Sequence, residues 1–489
     1  MKKSSITSNY IYNLIYQLII ITIPLLTTPY LTRTLGAKNL GIYSYTYSIA
    51  TIIYLITALG INTYGQREIA YVQDNKEKYS KIFFELIIIK IFSTIISIIL
   101  LLILILFETK YQLYYQIFSI YIIANFFDIS WLYQGLEKFK TIINRNIIIK
   151  FLYLISIFYF IKNNSNLPIY IFLFSTMTLL TNLSLWINLK KIISLPKKIE
   201  IKKHIKPVCI LFIPQVATLI NSILDKIMLG IINENIKTVS FYEQSSFIVK
   251  TLLIVITLTN TIMISKISYA FKQNDNKKIT NYINNTINFI WIIATPLTFG
   301  VCAVIKNFVP WFYGTEYLSV INLVYIMSPI IIIISFNNLI GIQYFISTKN
   351  QNKYILAVTI GSIVNFILNL ILIKQFESIG ATIASVTAEL VVLLIELYYF
   401  KQKISNIKIL KNSLKYIILS TIMFIISYSS GYVFGSTIYG TIFQILVGIC
   451  TYSILLIISK DKLIFNYINK LKIHPFLNLS SKNRQFKNY

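Results

Sequence analysis

Long apolar runs, each about the length of a membrane-crossing helix, dominate this sequence. The hydrocarbon core of a bilayer is about 30 Å thick, so a helix rising 1.5 Å per residue needs about 20 apolar residues to cross it. About fourteen runs meet this length criterion. They lie at Tyr10–Thr32, Leu40–Leu59, Ile82–Phe107, Leu113–Tyr133, Ile142–Ile161, Pro168–Leu189, Pro207–Ile232, Thr238–Ser265, Ile283–Ile305, Leu318–Ile346, Ile355–Ile373, Gly380–Phe400, Leu414–Phe434 and Tyr439–Ser459.

The composition agrees with a membrane protein. Hydrophobic residues make up 56% of the 489 residues and charged residues only 13%, too few to cover the surface of a soluble chain of this size. The runs are continuous in isoleucine and leucine, without the alternation of a membrane β-barrel. We therefore predict an all-α polytopic membrane protein with about 14 transmembrane helices.

The net charge of +28 has its explanation in membrane topology, and no nucleic-acid partner is predicted. Short cytoplasmic loops of membrane proteins are enriched in Lys and Arg. With a cytoplasmic N-terminus, about 34 of the 45 basic residues fall on the inner side and about 7 on the outer side. Both termini are therefore predicted to be cytoplasmic.

Several function classes are excluded or disfavoured. The three cysteines are far apart in apolar runs and the two histidines lie in Lys-rich stretches, so neither a metal site nor a cofactor is predicted. No G-x-x-x-x-G-K-[ST] phosphate loop is present. Outer loops are no longer than about a dozen residues, which disfavours a polymerase or glycosyltransferase with an external catalytic domain. A secondary transporter without catalytic residues remains.

A weak internal repeat supports this interpretation. "PLLTTPYLTRTLGAKNLGIYSY" and "PQVATLINSILDKIMLGIINENIKTVSFYEQ" each contain a proline, a basic residue, a Leu-Gly pair and an aromatic residue in that order. Secondary transporters are often built from two helical repeats with the substrate site between them. Chance remains an alternative, because the spacings differ and these residues are common in membrane helices.

Five further stretches, in order along the chain, carry a family resemblance: "GINTYGQREIA", "WLYQGLEKFKTIINRN", "LDKIMLGIINENIKTVSFYEQSS", "FVPWFYGTEYLSV" and "TIGSIVNFILNLILIKQFESIGATIASVTAE". Together with "PYLTRTLGAKNLGIYSY" they resemble the Wzx-type flippases of O-antigen and capsule repeat units, in the MOP (MATE-like) exporter superfamily. The resemblance implies two pseudo-symmetric six-helix lobes around a central cavity, residues 1–206 and 207–412. Two C-terminal helices and a basic cytoplasmic tail, residues 413–489, would follow.

The resemblance also implies a function, the movement of undecaprenyl-diphosphate-linked oligosaccharides across the cytoplasmic membrane by alternating access. A polysaccharide polymerase and chain-length machinery would be its partners. The nearest alternative is a peptidoglycan lipid-precursor flippase or a cation-coupled multidrug exporter of the same superfamily. A membrane enzyme, either a polymerase or a glycosyltransferase, is disfavoured by the short outer loops, and a structural scaffold does not explain the mid-span charges.

Basic residues within or at the ends of spans are candidates for binding the diphosphate or acidic sugars. A charge at the centre of a span costs about 2.5–3.5 kcal/mol, so an idle one is unusual. On the implied fold, Lys90, Lys150 and Lys250 are expected to face the cavity, with Arg33 and Lys226 at its outer mouth. The alternative is snorkelling to the interface. Depth favours binding for Lys150 and Lys250, and snorkelling for the other three.

Acidic residues within spans are candidates for coupling to a proton or sodium ion. Glu389 is the deepest, and Asp225 and Glu243 lie near the outer ends of adjacent spans. An alternative for these two is a structural bridge to Lys226, because buried charges are usually paired. Three acids near inner ends are expected to reach water: Glu85, Asp128 and Glu396.

Overall fold

The computed structural model describes residues 6–196, 198–403, 410 and 413–461, and over these residues the chain is helical. The α-helices are α1 (Ile6–Ala58), α2 (Ile61–Tyr71), α3 (Lys76–Phe107), α4 (Gln112–Phe126), α5 (Ser130–Gly135), α6 (Phe139–Phe160), α7 (Leu167–Ser184), α8 (Leu189–Ile192), α9 (Lys202–Ile232), α10 (Lys237–Lys272), α11 (Asn276–Phe312), α12 (Ser319–Met327), α13 (Ile330–Asn337), α14 (Gln351–Lys403), α15 (Ser413–Phe434) and α16 (Ile438–Ile458). A π-helical segment, Asn338–Ile346, continues α13.

Nine helical segments in the described part of the chain are long and apolar enough to cross a membrane. Helix α3 shows why a membrane is required, because one side of it presents a row of exposed apolar side chains that water would not tolerate. These include Phe92, Ile95, Ile96, Ile99, Leu102, Ile103, Leu106 and Phe107. The predicted all-α polytopic membrane fold is confirmed.

Two of the long helices contain a sharp bend, so each holds two of the predicted spans. In α1 the bend is at Gly36, where φ is 74°, a value that glycine adopts without steric cost. In α14 it is at Glu377, where φ is 51°. Gly380 permits the close approach that follows, because a Cβ there would lie 2.2 Å from the carbonyl oxygen of Leu372. The predicted loops at these positions are bends within nearly continuous helix.

Two other predicted spans are interrupted. The run Leu113–Tyr133 divides into α4 and α5, and the backbone between Phe126 and Ser130 is not helical. The run Leu318–Ile346 divides at Pro329, which precedes α13. Proline lacks the amide hydrogen that a continuing helix would use, so a break there is expected. Apolarity predicts that a segment crosses the membrane but not where its helix is interrupted.

The helices form two compact units among the described residues. The first contains the chain up to Gln244 together with Val364–Ser385, and the second contains Ser245–Ile363 together with the chain from Val386 onward. The lobe boundaries implied by the resemblance, after residues 206 and 412, stay a prediction.

Glycines allow close packing in the first unit. A Cβ on Gly41 would lie 2.1 Å from the carbonyl oxygen of Ile236, and one on Gly230 would lie 2.1 Å from the ring of Tyr45. Small residues at such contacts let membrane helices approach closely, which is how they associate where no water drives burial. Helix α1 is thereby held against α9 and the start of α10.

Polar side chains hold helices together in the second unit. The amide nitrogen of Asn307 on α11 donates to the carbonyl oxygen of Gly431 on α15 at 2.9 Å and to Oε1 of Gln444 on α16 at 3.2 Å. Ser427 Oγ donates to the backbone oxygen of Gln444 at 2.9 Å. Hydrogen bonds of this kind connect helices within a bilayer, so α11, α15 and α16 form one packed group.

Candidate functional site

A buried carboxylate, Asp225 on α9, is the centre of a polar cluster in the first unit. Its Oδ1 accepts a hydrogen bond from Asn369 Nδ2 at 2.6 Å, and its Oδ2 accepts one from Ser385 Oγ at 2.8 Å. The hydroxyl of Tyr242 also donates to Oδ2. Only 5% of Asp225 is exposed. Three donors on other helical segments therefore surround one carboxylate, which we call the Asp225 cluster.

The bend in α14 assembles this cluster. Asn369 lies before Glu377 and Ser385 lies after it, so the two arms of one helix both reach Asp225. Helix α10 supplies Tyr242 shortly after the turn that follows α9. The cluster thus depends on a backbone feature that the apolar pattern does not reveal.

The donors of the Asp225 cluster are neutral, which gives it a distinct chemistry. Hydrogen bonds from an amide and two hydroxyls stabilise a carboxylate without neutralising it. The Oδ1 of Asn369 is also buried and has no hydrogen-bond partner among the described residues. A buried carboxylate beside an unused carbonyl-type oxygen is suited to holding a small cation or exchanging a proton.

An ion pair lies immediately beside the Asp225 cluster. Lys226 Nζ and Glu243 Oε2 are 2.9 Å apart, and the lysine side chain is largely buried. The predicted bridge from Glu243 to Lys226 is confirmed by this distance. Asp225 uses its oxygens for Tyr242 and its other neutral donors instead. The structure therefore brings Asp225, Lys226 and Glu243 together, but with different partners.

Lys90 lies fully inside the first unit, with 0% of its surface exposed. Its Nζ donates to the backbone carbonyl oxygen of Asp128 at 2.6 Å. Asp128 follows the end of α4, where the chain has left the helix and carbonyl oxygens need other donors. The contact therefore joins α3 to the break between α4 and α5.

Replacing Lys90 with methionine is expected to destabilise the protein, because the carbonyl of Asp128 loses its donor. A buried acceptor left without a partner costs about 1–3 kcal/mol. Thermal unfolding in detergent should show a lowered midpoint for Lys90→Met and an unchanged one for Lys110→Met, a lysine outside the helices. Equal midpoints for Lys90→Met and the unsubstituted protein would contradict the structural role.

The other predicted basic residues lie elsewhere. Lys150 is half-buried on α6, and Lys250 is exposed on α10. Arg33 on α1 is exposed, and its Nη1 donates to the carbonyl oxygen of Pro29 at 3.1 Å. Lys150 thus belongs to the first unit and Lys250 to the second.

Glu389, the deepest predicted acid, lies in the second unit. Its Oε2 accepts a hydrogen bond from Asn337 Nδ2 at 2.8 Å. This contact ties the second arm of α14 to the end of α13, next to the π-helical segment.

Two acids predicted to reach water do not. Glu85 and Glu396 are both 0% exposed, so that prediction is wrong for both. The partner of Glu85, His204, lies 119 residues away in the sequence, so no local signal marks Glu85 as buried. Nothing in the sequence around Glu396 marks it as buried.

Glu85 binds the segment that leads into α9. Its Oε1 accepts a hydrogen bond from the backbone nitrogen of Glu200 at 2.7 Å, and its Oε2 lies 2.7 Å from His204 Nε2. His204 Nδ1 lies 2.8 Å from the Tyr64 hydroxyl. The ammonium of Lys203 is 3.3 Å from Oε2 of Glu85. We call these residues the Glu85 cluster.

The outer edge of the Glu85 cluster is solvent-exposed. Lys81 Nζ lies 3.1 Å from Glu200 Oε1, whose side chain is 62% exposed. The hydrogen bond from Lys81, with the charge of Lys203, holds the pKa of the Glu200 carboxyl below its usual value. A lowered folded-state pKa means that this contribution to stability exists above the unfolded-state pKa and disappears as pH falls through the folded-state pKa.

Comparison with known families decides the identity of the chain. The model of a family described as "Polysaccharide biosynthesis protein" matches residues 6–264, more than half of the chain. The chain belongs to the polysaccharide biosynthesis protein family. A second family model, described as "Lipid II flippase MurJ", matches residues 172–449. The family resemblance drawn from the sequence, to Wzx-type members of the MOP superfamily, is thereby confirmed.

Individual relatives agree with this assignment. The chain is 24% identical over 407 residues to the "Putative O-antigen transporter" of Escherichia coli (strain K12), covering 80% of this chain and 95% of the relative. Its fold is similar to that of lipid II flippase MurJ in an inward closed conformation, with a TM-score of 0.71 and 20% identity over 93% of this chain and 99% of that one. An inward-facing multidrug resistance MATE family transporter of the MOP superfamily has a TM-score of 0.58 and 11% identity, covering 81% of this chain and 96% of its own.

Proposed function

We propose that this protein is a flippase that moves undecaprenyl-diphosphate-linked oligosaccharide repeat units across the bacterial cytoplasmic membrane, for capsule or O-antigen synthesis. The observation that carries the proposal is the match of the polysaccharide biosynthesis family model to more than half of the chain. The O-antigen transporter, related over 80% of this chain, supports the same substrate class. Both termini would be cytoplasmic, and a polymerase and chain-length machinery would use the product.

Charge supports an anionic, lipid-linked substrate. A diphosphate carries negative charge that a cation attracts strongly where the surroundings are apolar and salt screens poorly. Lys150 and Lys250 are the mid-span lysines that we propose to contact it, with Arg33 as a further contact near the outer end of the first span. Lys226 already pairs with Glu243, so we assign this lysine to positioning the Asp225 cluster.

The Asp225 cluster is the proposed site of ion coupling. A transporter that lacks an ATP-binding loop needs an ion gradient or the substrate gradient as its energy source, and buried acids are the usual carriers of such ions. The neutral donors of the cluster and the unused oxygen of Asn369 support this role. Glu243, paired with Lys226, and Glu389, paired with Asn337, would assist rather than exchange the ion.

The substrate proposal predicts that Lys150→Ala and Lys250→Ala each lower surface polysaccharide at least tenfold. A hydrogen bond to a charged group contributes about 1.5–3 kcal/mol, and 1.4 kcal/mol corresponds to a factor of ten. Polysaccharide would be measured on a strain that lacks the chromosomal gene and carries each variant at matched expression. Lipid-linked repeat units should accumulate on the inner leaflet at the same time.

Arginine variants at both positions provide the control. Lys150→Arg and Lys250→Arg keep the charge and should retain more polysaccharide than the alanine variants. Normal polysaccharide in both alanine variants would exclude these lysines from substrate binding. Normal polysaccharide after deletion of the gene itself would refute the flippase function. Accumulation of a peptidoglycan precursor instead would favour the alternative lipid substrate.

A further inference from the structure

Glu396, on the second arm of α14, is a fully buried carboxyl group that lacks a binding partner. It is 0% exposed, and neither Oε1 nor Oε2 has a hydrogen-bond partner among the described residues. Burying an unpaired carboxylate charge costs several kcal/mol. A group in such a position either gains a proton or binds a cation.

The carboxyl group occupies a pocket that depends on glycine. A Cβ on Gly341 would lie 2.4 Å from Glu396 Oε1 and 2.5 Å from a ring carbon of Tyr354. Any larger residue at 341 would therefore displace the carboxyl group or the ring. Gly341 belongs to the π-helical segment Asn338–Ile346, and π-helical turns are rare and concentrate at functional sites. Three segments of the second unit, the π-helical segment and both ends of α14, thus enclose Glu396.

The π-helical segment and the residue before it carry hydrogen-bond acceptors that lack donors among the described residues. Asn337 Oδ1 and Gln343 Oε1, which lie on or beside the π-helical segment, are also buried without partners among the described residues. Their amide nitrogens are used elsewhere, by Glu389 Oε2 at 2.8 Å and by Asn260 Oδ1 at 2.7 Å. A region with spare acceptors favours the addition of a positive charge or a proton.

The titratable groups around Glu396 do not neutralise it. Tyr354 faces it from the start of α14, and Glu389 lies two turns earlier on the same arm. The nearby ammonium of Lys353 lies over the ring of Tyr399, 4.8 Å from its centroid. Tyr344, from the π-helical segment, packs its ring against Phe400. The charged neighbour on its own arm is another acid, which disfavours a second negative charge at Glu396.

We propose that Glu396 is a proton-binding site, which holds a neutral carboxylic acid in the enclosed state and exchanges its proton with water when the Gly341 pocket opens. A metal ion is disfavoured, because hard cations such as Ca²⁺ take six or more oxygen ligands and a glycine and an aromatic ring form the pocket wall. On release, the O–H bond breaks, its electron pair stays on the carboxylate, and water takes the proton. This assignment rests on the proposed function only for its use in transport.

Infrared spectroscopy of the full chain in detergent tests the proton directly. The C=O stretch of a neutral carboxylic acid differs from the bands of a carboxylate, and titration shows at which pH it disappears. At neutral pH we expect a buried-acid band in the unsubstituted protein that is lost in Glu396→Gln. The matched control, Glu389→Gln on the same arm, should retain the band. An identical band in Glu396→Gln and the unsubstituted protein would overturn the assignment.

A second variant tests the pocket without touching the acid. Gly341→Ala should displace the Glu396 carboxyl group, so that the band disappears at a lower pH than in the unsubstituted protein. An unchanged titration in Gly341→Ala would contradict the enclosed pocket. The titration should be the same in sodium and potassium buffers. Loss of the band on adding sodium would show that the site binds a metal ion and would overturn the proton assignment.

Transport provides a separate measurement. If Glu396 supplies the driving proton, Glu396→Gln should lose the dependence of polysaccharide export on the pH gradient, while the control Glu234→Gln, at an exposed residue between α9 and α10, keeps it. An unchanged pH-gradient dependence in Glu396→Gln would overturn the transport role. If deletion of the gene leaves polysaccharide unchanged while the infrared band behaves as expected, the flippase function fails and the proton site stands.

Discussion

Asp225→Asn is expected to leave the protein folded and to lower ion-driven polysaccharide export by about 5- to 150-fold, the range of a coupling free energy of 1–3 kcal/mol. Asparagine keeps the size of the side chain and one oxygen that can accept from Asn369 or Ser385. It removes the negative charge that would hold a cation or a proton. The measurement compares export with and without an imposed sodium or proton gradient, at matched expression.

Two further variants separate coupling from folding. Asp225→Ala leaves three buried donors without an acceptor, each at a cost of about 1–3 kcal/mol, and should lower the unfolding midpoint as well as export. Ser385→Ala removes one of the neutral donors and should reduce stability by about 0.5–1.5 kcal/mol. Full gradient dependence in a folded Asp225→Asn protein would remove this cluster from the coupling role and leave Glu396 as the candidate.

The sequence predicts the membrane architecture well, because apolar length is imposed by the bilayer itself. Each predicted span falls on helical segments such as the long α3 and α11, although two spans are interrupted, one between α4 and α5 and one before α13. The features that the sequence does not predict are local changes of backbone conformation. Gly36 and Glu377 bend helices where the pattern predicts loops, and the π-helical segment continues an uninterrupted apolar run. Hydropathy averages over about 20 residues, so it does not detect a change of one or two backbone angles.

The candidate site is predicted less completely, because some of its residues have partners that are far away in the sequence. Lys226 and Glu243 lie near the facing ends of consecutive helices, so their pairing follows from local topology. The donors to Asp225 from α14 lie 144 and 160 residues away. Long-range partners of this kind depend on how helices pack, which a single sequence does not specify. The depth of a charged residue within a span marks it as a candidate functional residue, but does not predict which side chain it contacts.

Lys90 and Glu396 also show that the position of an ionisable residue within a span does not predict its role. Both are ionisable residues inside spans, and both are fully buried. Lys90 donates to a backbone carbonyl that a helix break leaves exposed, whereas Glu396 has no partner among the residues described. The cost of burying a charge is similar in each case, so the distinction between a structural and a functional residue comes from the partner alone.

Replacing Glu85 with alanine is expected to produce the largest loss of stability, because buried donors lose their acceptor, each at a cost of about 1–3 kcal/mol. His204, Lys203 and the backbone nitrogen of Glu200 all lose their acceptor. The segment that leads into α9 should then detach from α3. Thermal unfolding in detergent and hydrogen exchange of residues 198–204 measure the two effects.

Glu200→Gln is the matched control, because Glu200 lies at the exposed edge of the same cluster and its side chain is 62% exposed. Exposed ion pairs contribute little to stability because water and salt screen them, so its unfolding midpoint should change little at neutral pH. The pKa of Glu200 is lowered in the folded protein, so the unsubstituted protein should lose this small contribution as pH falls, and Glu200→Gln should not. Comparable losses of stability in Glu85→Ala and Glu200→Gln would show that the buried hydrogen bond between Glu85 and His204 is not the main contribution of this cluster to stability. A large loss confined to Glu85→Ala, with faster exchange near His204, would place the attachment of α9 on the buried carboxylate.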